Sequence, residues 1–256
     1  MYNSLQLREL FHLEFLRWFV RNVKPSYYAL KGGTNMRFFF NSFRYSEDMD
    51  LDIKGMPIHA VKDNIMKILN SGPFQDVLKP FGIEAVKAPD IAKAKQTQTT
   101  QRFKIHLMTF AGEDLFTKIE FSRRGFKGNV IVQPVSDAIL RQYKMPPILI
   151  PHYEIHSIIA QKLDALSGRA VIQARDVFDL YILSSQYERG SAENQKIEDS
   201  KFEKGRENLF QISFKQFRDT VISYLSPEDR DVYDSQALWE EIQLKTADFI
   251  NELKAG

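Results

Sequence analysis

Leu30-Lys31-Gly32-Gly33-Thr34-Asn35-Met36-Arg37, followed by Arg44-Tyr45-Ser46-Glu47-Asp48-Met49-Asp50-Leu51-Asp52, decides how the chain reads. Tyr27 to Leu30 read as a short strand that ends at the Gly32-Gly33 turn. Thr34 can cap a helix over about residues 34–43. Met49, Leu51 and Ile53 alternate with Asp48, Asp50 and Asp52, the period of a half-buried strand. A glycine turn at a helix start offers free N–H groups and the positive end of the helix to an anion. Carboxylates two residues apart on a strand project to one face. Paired hard oxygens suit Mg2+, which completes its shell with substrate phosphates. The pattern therefore points to a nucleotide held by its triphosphate through metal bound to Asp48 and Asp50. Arg37, one turn into the helix, is placed to help with phosphates, and Arg44 to neutralise the acidic strand. Asp52 reads as a spare surface acid.

Outward from this stretch, residues 5–22 read as a buried helix stopped by Pro25. Residues 58–70 read as an amphipathic helix ended by Ser71-Gly72-Pro73. Strands are expected near 82–88, 102–110 and 115–122, with an exposed hairpin or loop from Pro89 to Gln101. A short helix is expected over 136–143, then Pro146, Pro147 and Pro151 bracket the apolar run Ile148-Leu149-Ile150. Helices follow at about 153–167, 174–187, 209–225 and 235–253, with 188–208 as a linker or solvated helix. Mixed strands and helices in the first half and helices alone in the second give an α/β (α+β) domain over 1–150 and a helical domain over 151–256.

The 256 residues are 43% hydrophobic and 27% charged, enough for a sizeable core in one large or two modest domains. There are no cysteines, which excludes disulfides, thiolate metal sites and cysteine nucleophiles. No long uncharged apolar segment suggests a membrane span, and the N-terminus does not read as a signal peptide, so the expected location is the cytoplasm. The net charge of +2 is unevenly spread: residues 191–256 carry net −5, while residues 87–128 carry net +5. A local basic excess is compatible with a nucleic-acid partner.

Further candidates for chemistry lie downstream. Glu120 sits in the alternating strand Leu115-Phe116-Thr117-Lys118-Ile119-Glu120-Phe121, facing the same way as Lys118. It reads either as a third carboxylate for a two-metal site or as half of a cross-strand Glu–Lys pair. Lys162 falls inside the apolar helical stripe of Ile155, Ile158, Ile159 and Leu166. A lysine there needs a partner or must snorkel, and a pocket in which it binds phosphate as a point charge is the reading favoured here. Asp176 and Asp179 open an apolar helix, as a cap and a salt-bridge partner or as further functional acids. His12, His59, His106, His152 and His156 are scattered and read as structural. The phenylalanine run 38–40 reads as core.

The opening motif Leu30-Lys31-Gly32-Gly33-Thr34 to Arg37 with Arg44-Tyr45-Ser46-Glu47-Asp48-Met49-Asp50-Leu51 resembles that of the AbiEii/AbiGii toxin-type nucleotidyltransferases. So does a second block, Ala160-Gln161-Lys162-Leu163-Asp164-Ala165-Leu166 to Arg169 with Arg175-Asp176-Val177-Phe178-Asp179-Leu180. The resemblance spans about residues 25–190. It implies a DNA polymerase β-like nucleotidyltransferase domain with a mixed sheet, followed by a helical domain, and a toxin of a bacterial toxin–antitoxin or abortive-infection system. It implies Asp48, Asp50 and Glu120 as metal ligands in a two-ion Mg2+ site and Gly32, Gly33 and Thr34 as the phosphate loop. Lys162 matches a conserved lysine, and Asp176 or Asp179 a late aspartate. The expected reaction transfers a nucleoside monophosphate from an NTP to RNA, a tRNA 3′ end in some relatives, with an antitoxin protein as a further partner. The rivals are transfer to a protein or small molecule, and a nucleotide-binding module that acts without transfer.

Overall fold

The structure is a computed structural model that describes residues 2–90, 94–188 and 197–255. Parts of the expected loop at 89–101 and of the expected linker at 188–208 lie outside the described residues. The chain divides into two compact units, Met1–Phe39 with Tyr45–Tyr153, and Phe40–Arg44 with Glu154–Gly256.

The first unit runs α1 (Ser4–Phe19), β1 (Tyr28–Lys31), α2 (Gly32–Phe39), β2 (Met49–Ile53), α3 (Ile58–Leu69), α4 (Gly72–Asp76), β3 (Ile83–Lys87), β4 (Thr100–Thr109), β5 (Asp114–Ser122), β6 (Val130–Pro134), α5 (Asp137–Gln142) and β7 (Leu149–Tyr153). Seven strands form one mixed sheet in the order β3-β4-β5-β2-β1-β7-β6. β2 runs parallel to β5 and β1 parallel to β7, and the other neighbours are antiparallel. The expected α/β class is thus realised as a mixed sheet with helices. β6 gave no expectation from sequence. It is an edge strand, where Pro134 is tolerated because no inner neighbour needs its missing N–H.

α1 is apolar nearly all round, the mark of a helix enclosed by protein. Leu10, Phe11, Phe15 and Leu16 are fully buried, each burial being worth roughly 1.5–3 kcal/mol. Asn3 and Gln6 close its N-terminus as a capping box. The helix ends at Phe19, earlier than expected, and Pro25 opens a short 3-10 turn instead. Its buried acids and histidine are all bonded, while the Trp18 indole N–H has no partner among the described residues. Glu9 accepts from Arg37 Nε at 2.6 Å and from the Tyr143 hydroxyl at 2.8 Å, and Glu14 pairs with Arg17 at 2.6 Å. His12 Nε2 lies 2.8 Å from the Thr117 hydroxyl, whose single proton goes to the Glu47 carbonyl at 2.7 Å. His12 Nε2 is therefore the donor and the ring is neutral.

Burial, helped by the positive charge of Arg8, pushes the His12 ring down from 6.5 to about 3. Between those values the unfolded chain binds a proton that the folded chain refuses, so stability is full above pH 6.5 and falls as the pH drops toward 3. The slope from this group is up to about 1.4 kcal/mol per pH unit. Urea unfolding at pH 7 and pH 5 should show a fall in stability that is about 2 kcal/mol smaller in His12→Gln than in the parent. Equal falls would refute the burial of a neutral ring.

The second unit is helical: α6 (Ile155–Gly168), α7 (Ala174–Ser184), α8 (Asp199–Leu209), α9 (Phe214–Thr220), α10 (Pro227–Tyr233) and α11 (Gln236–Ala255). The single helix expected over 209–225 is broken. Ser213 starts α9 with its own capping box, and residues Ile222–Tyr224 form a 3-10 turn. α8 lies close against α6 because Gly205 has no side chain, and a Cβ there would fall 2.7 Å from Leu163 Cδ1. No helix among the described residues is long and apolar enough to cross a membrane.

Candidate active site

The acidic stretch lies at the centre of the first unit's sheet. The register aligns Lys31 of β1 with Asp50 of β2, Asp50 with Glu120 of β5, and Glu120 with Arg102 of β4. Paired residues on neighbouring strands share a face, so these four form a lateral row. One step along the same face, Lys118 bonds Asp48 at 2.8 Å and stands opposite Lys104.

The cations divide unequally among the acids. Lys31 goes to Asp52, at 2.5 Å, and Arg102 grips Glu120 through Nε and Nη2 at 2.7 and 2.6 Å. Lys118 takes Oδ2 of Asp48, and Oδ1 of Asp48 is buried with no hydrogen-bond partner. Asp50 makes no hydrogen bond or ion pair with any described residue. Burial pushes its carboxyl above the ordinary range. Lys31 and Lys118 oppose the shift, and Glu120 and Asp48 reinforce it. An unpartnered carboxylate beside an orphaned carboxylate oxygen is costly to fold. Both costs are relieved by a hard cation, and the donor set of Asp48 and Asp50 fits Mg2+.

The third expected ligand is differently placed. Glu120 is aligned with Asp50 but is held by Arg102, and no trio of Asp, Glu and His among the described residues is gathered closely enough to hold an ion. Glu120 makes a cross-strand ion pair, with Arg102 where a lysine was expected, and stays in register with Asp50.

The glycine turn abuts the acids. Gly32 has φ +70°, in the left-handed region, and opens α2. A Cβ on Gly32 would stand 3.1 Å from Asp50 Oδ2, so the bare glycine lets the carboxylate lie against the turn. The first N–H groups of a helix have no intrahelical partner, which leaves them for a ligand. Thr34 is inside α2 and does not cap it, because the helix already begins at Gly32. Its hydroxyl donates to the Asp48 carbonyl at 2.9 Å, as does that of Ser46 at 2.7 Å. These two bonds fix the backbone that carries the first acid. Gly32→Ala is expected to cost about 1–2 kcal/mol for the left-handed residue. Because the new methyl displaces Asp50, turnover should fall about 100-fold, a larger loss than stability explains. Thermal unfolding and a transfer assay on one preparation check both.

Two expectations give way to other partners. Asp52 is buried, not a surface acid. It holds Lys31 and accepts from the Tyr153 hydroxyl at 2.6 Å, a proton that burial and Asp52 itself keep on the phenol. Arg44 does not neutralise the strand. It belongs to the helical unit and pairs with Asp179 at 3.2 Å. Arg37, the residue expected to help with phosphates, is engaged by Glu9 and stacks on the Tyr45 ring at 4.2 Å. Among the histidines, His152 lies on β7, stacked on Phe39 with ring centroids 3.6 Å apart, while His156 is on α6.

The second block assembles within the helical unit. Lys162 is buried, its ammonium bonded to Asp179 and 3.2 Å from Asp176. Arg169 holds the other oxygen of Asp176 at 2.6 Å. Burial would raise the Asp179 carboxyl, but Arg44 and Lys162 outweigh it and hold it below the ordinary range. The lysine in the apolar stripe thus has its partners, two acids on α7. Arg102, Lys31 and Lys118 are the site residues that the strand patterns did not single out. The signal for Arg102 was present: a hairpin turning at residues 110–113 puts it opposite Glu120.

No curated protein sequence matches the chain significantly. Among solved structures, the chain is similar to MenT4, a nucleotidyltransferase toxin from Mycobacterium tuberculosis, with TM-score 0.58 and 15% identity over 97% of this chain and 84% of that one. It is also similar to JHP933 from Helicobacter pylori, with TM-score 0.52 and 19% identity over 96% and 91% of the two chains. At such identity these likenesses establish the fold. The family model described as nucleotidyl transferase AbiEii toxin, type IV TA system, matches residues 14–249. The chain is a nucleotidyltransferase of the AbiEii toxin family.

Proposed function

We propose that this chain is an Mg2+-dependent toxin that transfers a nucleoside monophosphate from an NTP to an RNA acceptor, a tRNA 3′ end, in the bacterial cytoplasm, restrained by a cognate antitoxin. The observation that carries this reading is the Asp48–Asp50 pair set against the Gly32 turn, with one oxygen of Asp48 orphaned and Asp50 unpartnered among the described residues.

Asp48 and Asp50 would hold the metal, which when bound neutralises the triphosphate and the charge that develops on it. The N–H groups of the Gly32-Gly33 turn receive phosphate oxygens. An acceptor hydroxyl attacks the α-phosphorus in line, its proton passes to a carboxylate, and pyrophosphate leaves. Glu120, the register partner of Asp50, is the proposed acid for that proton, while Lys162 is ion-paired with Asp176 and Asp179 in the helical unit. Positioning and charge neutralisation supply most of the rate.

Induced expression in a bacterial host should arrest growth, and Asp48→Asn or Asp50→Asn should relieve the arrest at equal protein level. Co-expression of the antitoxin should do the same with the parent. Arrest that survives both substitutions would overturn the catalytic reading in favour of toxicity by binding.

A further inference from the structure

The face of β4 and β5 that carries Glu120 and Lys118 also carries a lysine, Lys104, that no described acid compensates. Arg102, Lys104 and His106 alternate along β4 and face one way, while Phe103, Ile105 and Leu107 are fully buried on the other side. Lys104 stands directly opposite Lys118, a like-charge pair that destabilises a sheet. Lys118 is compensated by Asp48. Lys104 is exposed and has no acidic partner among the described residues, and the same holds for the side chain of Lys95. Both line one cleft of about 350 Å3, with Arg102 and His106 on the strand side and Pro89 and Asp90 on the other. Two uncompensated lysines, with Arg102 held by Glu120 beside them and alanine and proline walls, make a seat for an anion with an apolar body. The cleft is joined to the acid pair through one residue, because Arg102 lines it and also grips Glu120, the register partner of Asp50.

We propose that this cleft and the Lys104–Lys118 lane bind the acceptor as a single-stranded RNA segment, with phosphates on Lys95 and Lys104 and a base or sugar against Pro89. The proposal rests on the nucleotidyl-transfer reading above and names where its acceptor lies. A strand laid along β4 is led by Lys118 toward Asp48, so its terminal hydroxyl arrives at the acids. Nucleic acid suits the cleft better than an acidic peptide does, because nucleotides alternate charge with flat apolar surface, as the lining does.

The test is fluorescence anisotropy with a labelled single-stranded RNA of about 12 nucleotides, across a salt series, on the parent, the Lys95→Ala/Lys104→Ala double variant and Asp48→Asn. Both lysines are exposed, so the double variant should melt with the parent. Its affinity should fall about 10-fold, and its salt slope should flatten by about 1.4, one phosphate contact per lysine. In the transfer assay its KM for RNA should rise, whereas Asp48→Asn, which frees Lys118, should bind RNA at least as tightly as the parent and transfer nothing. Unchanged affinity and slope in the double variant, with transfer intact, would overturn the lane and leave the proposed function standing. RNA binding that needs both lysines in a parent that transfers to no acceptor would support the lane and sink the reaction. Equal competition by poly-L-glutamate at matched charge would overturn the nucleic-acid assignment.

Discussion

Asp50→Asn is expected to yield a folded protein, at least as stable as the parent, whose nucleotidyl transfer is lower by about 10³-fold. The two halves of that result have one cause. Asp50 is set between Asp48 and Glu120 with its nearest cations committed elsewhere, so folding works against its charge. Removing the charge relieves the fold and removes a metal ligand together. A stability gain joined to an activity loss marks a residue kept for function. Asp48→Asn should match the loss of activity, while giving up its bond with Lys118. Melting curves and initial rates on purified variants decide the matter. Parental activity in Asp50→Asn would remove the acid pair from the mechanism.

Asp179→Ala is expected to destabilise the helical unit by about 3–5 kcal/mol, because it strands two buried cations, Arg44 and Lys162. Asp179 is fully buried and its carboxyl is held below the ordinary value of 3.8. Its stabilisation is therefore present above pH 3.8 and lost as the pH falls through the lowered value. The variant should lack that acid loss. Lys162→Met should be milder, since Arg44 and Arg169 still neutralise the two acids. Urea unfolding monitored at Trp239, buried in the helical unit, reports this directly. A loss below about 1 kcal/mol in Asp179→Ala would mean that the cluster does not brace the unit.

The core of the site could be read from the chain because its parts are local. A glycine pair before a helix and two aspartates on an alternating strand have short-range signatures, and the mixed order of strands before helices set the class. What escaped depends on pairing between distant segments. Glu120 meets Asp50 only because β2 runs parallel to β5, and its ion pair with Arg102 follows from a neighbouring strand. Arg44 was misjudged by sequence proximity, its partner Asp179 being 135 residues away. Asp52 shares the strand period of Asp48 and Asp50, and periodicity cannot tell which end of a face Tyr153 covers. Thr34 shows the limit of a capping signal: the hydroxyl does bond to backbone, but to the acidic loop.

The central claim is that Asp48 and Asp50 support nucleotidyl transfer. Pure protein is incubated with Mg2+, total bacterial RNA and each α-labelled NTP in turn, beside Asp48→Ala. The account predicts label on tRNA-sized RNA from one or more nucleotides with the parent, and none with the variant. Nucleotide that binds but is transferred to no RNA, protein or small molecule would contradict it.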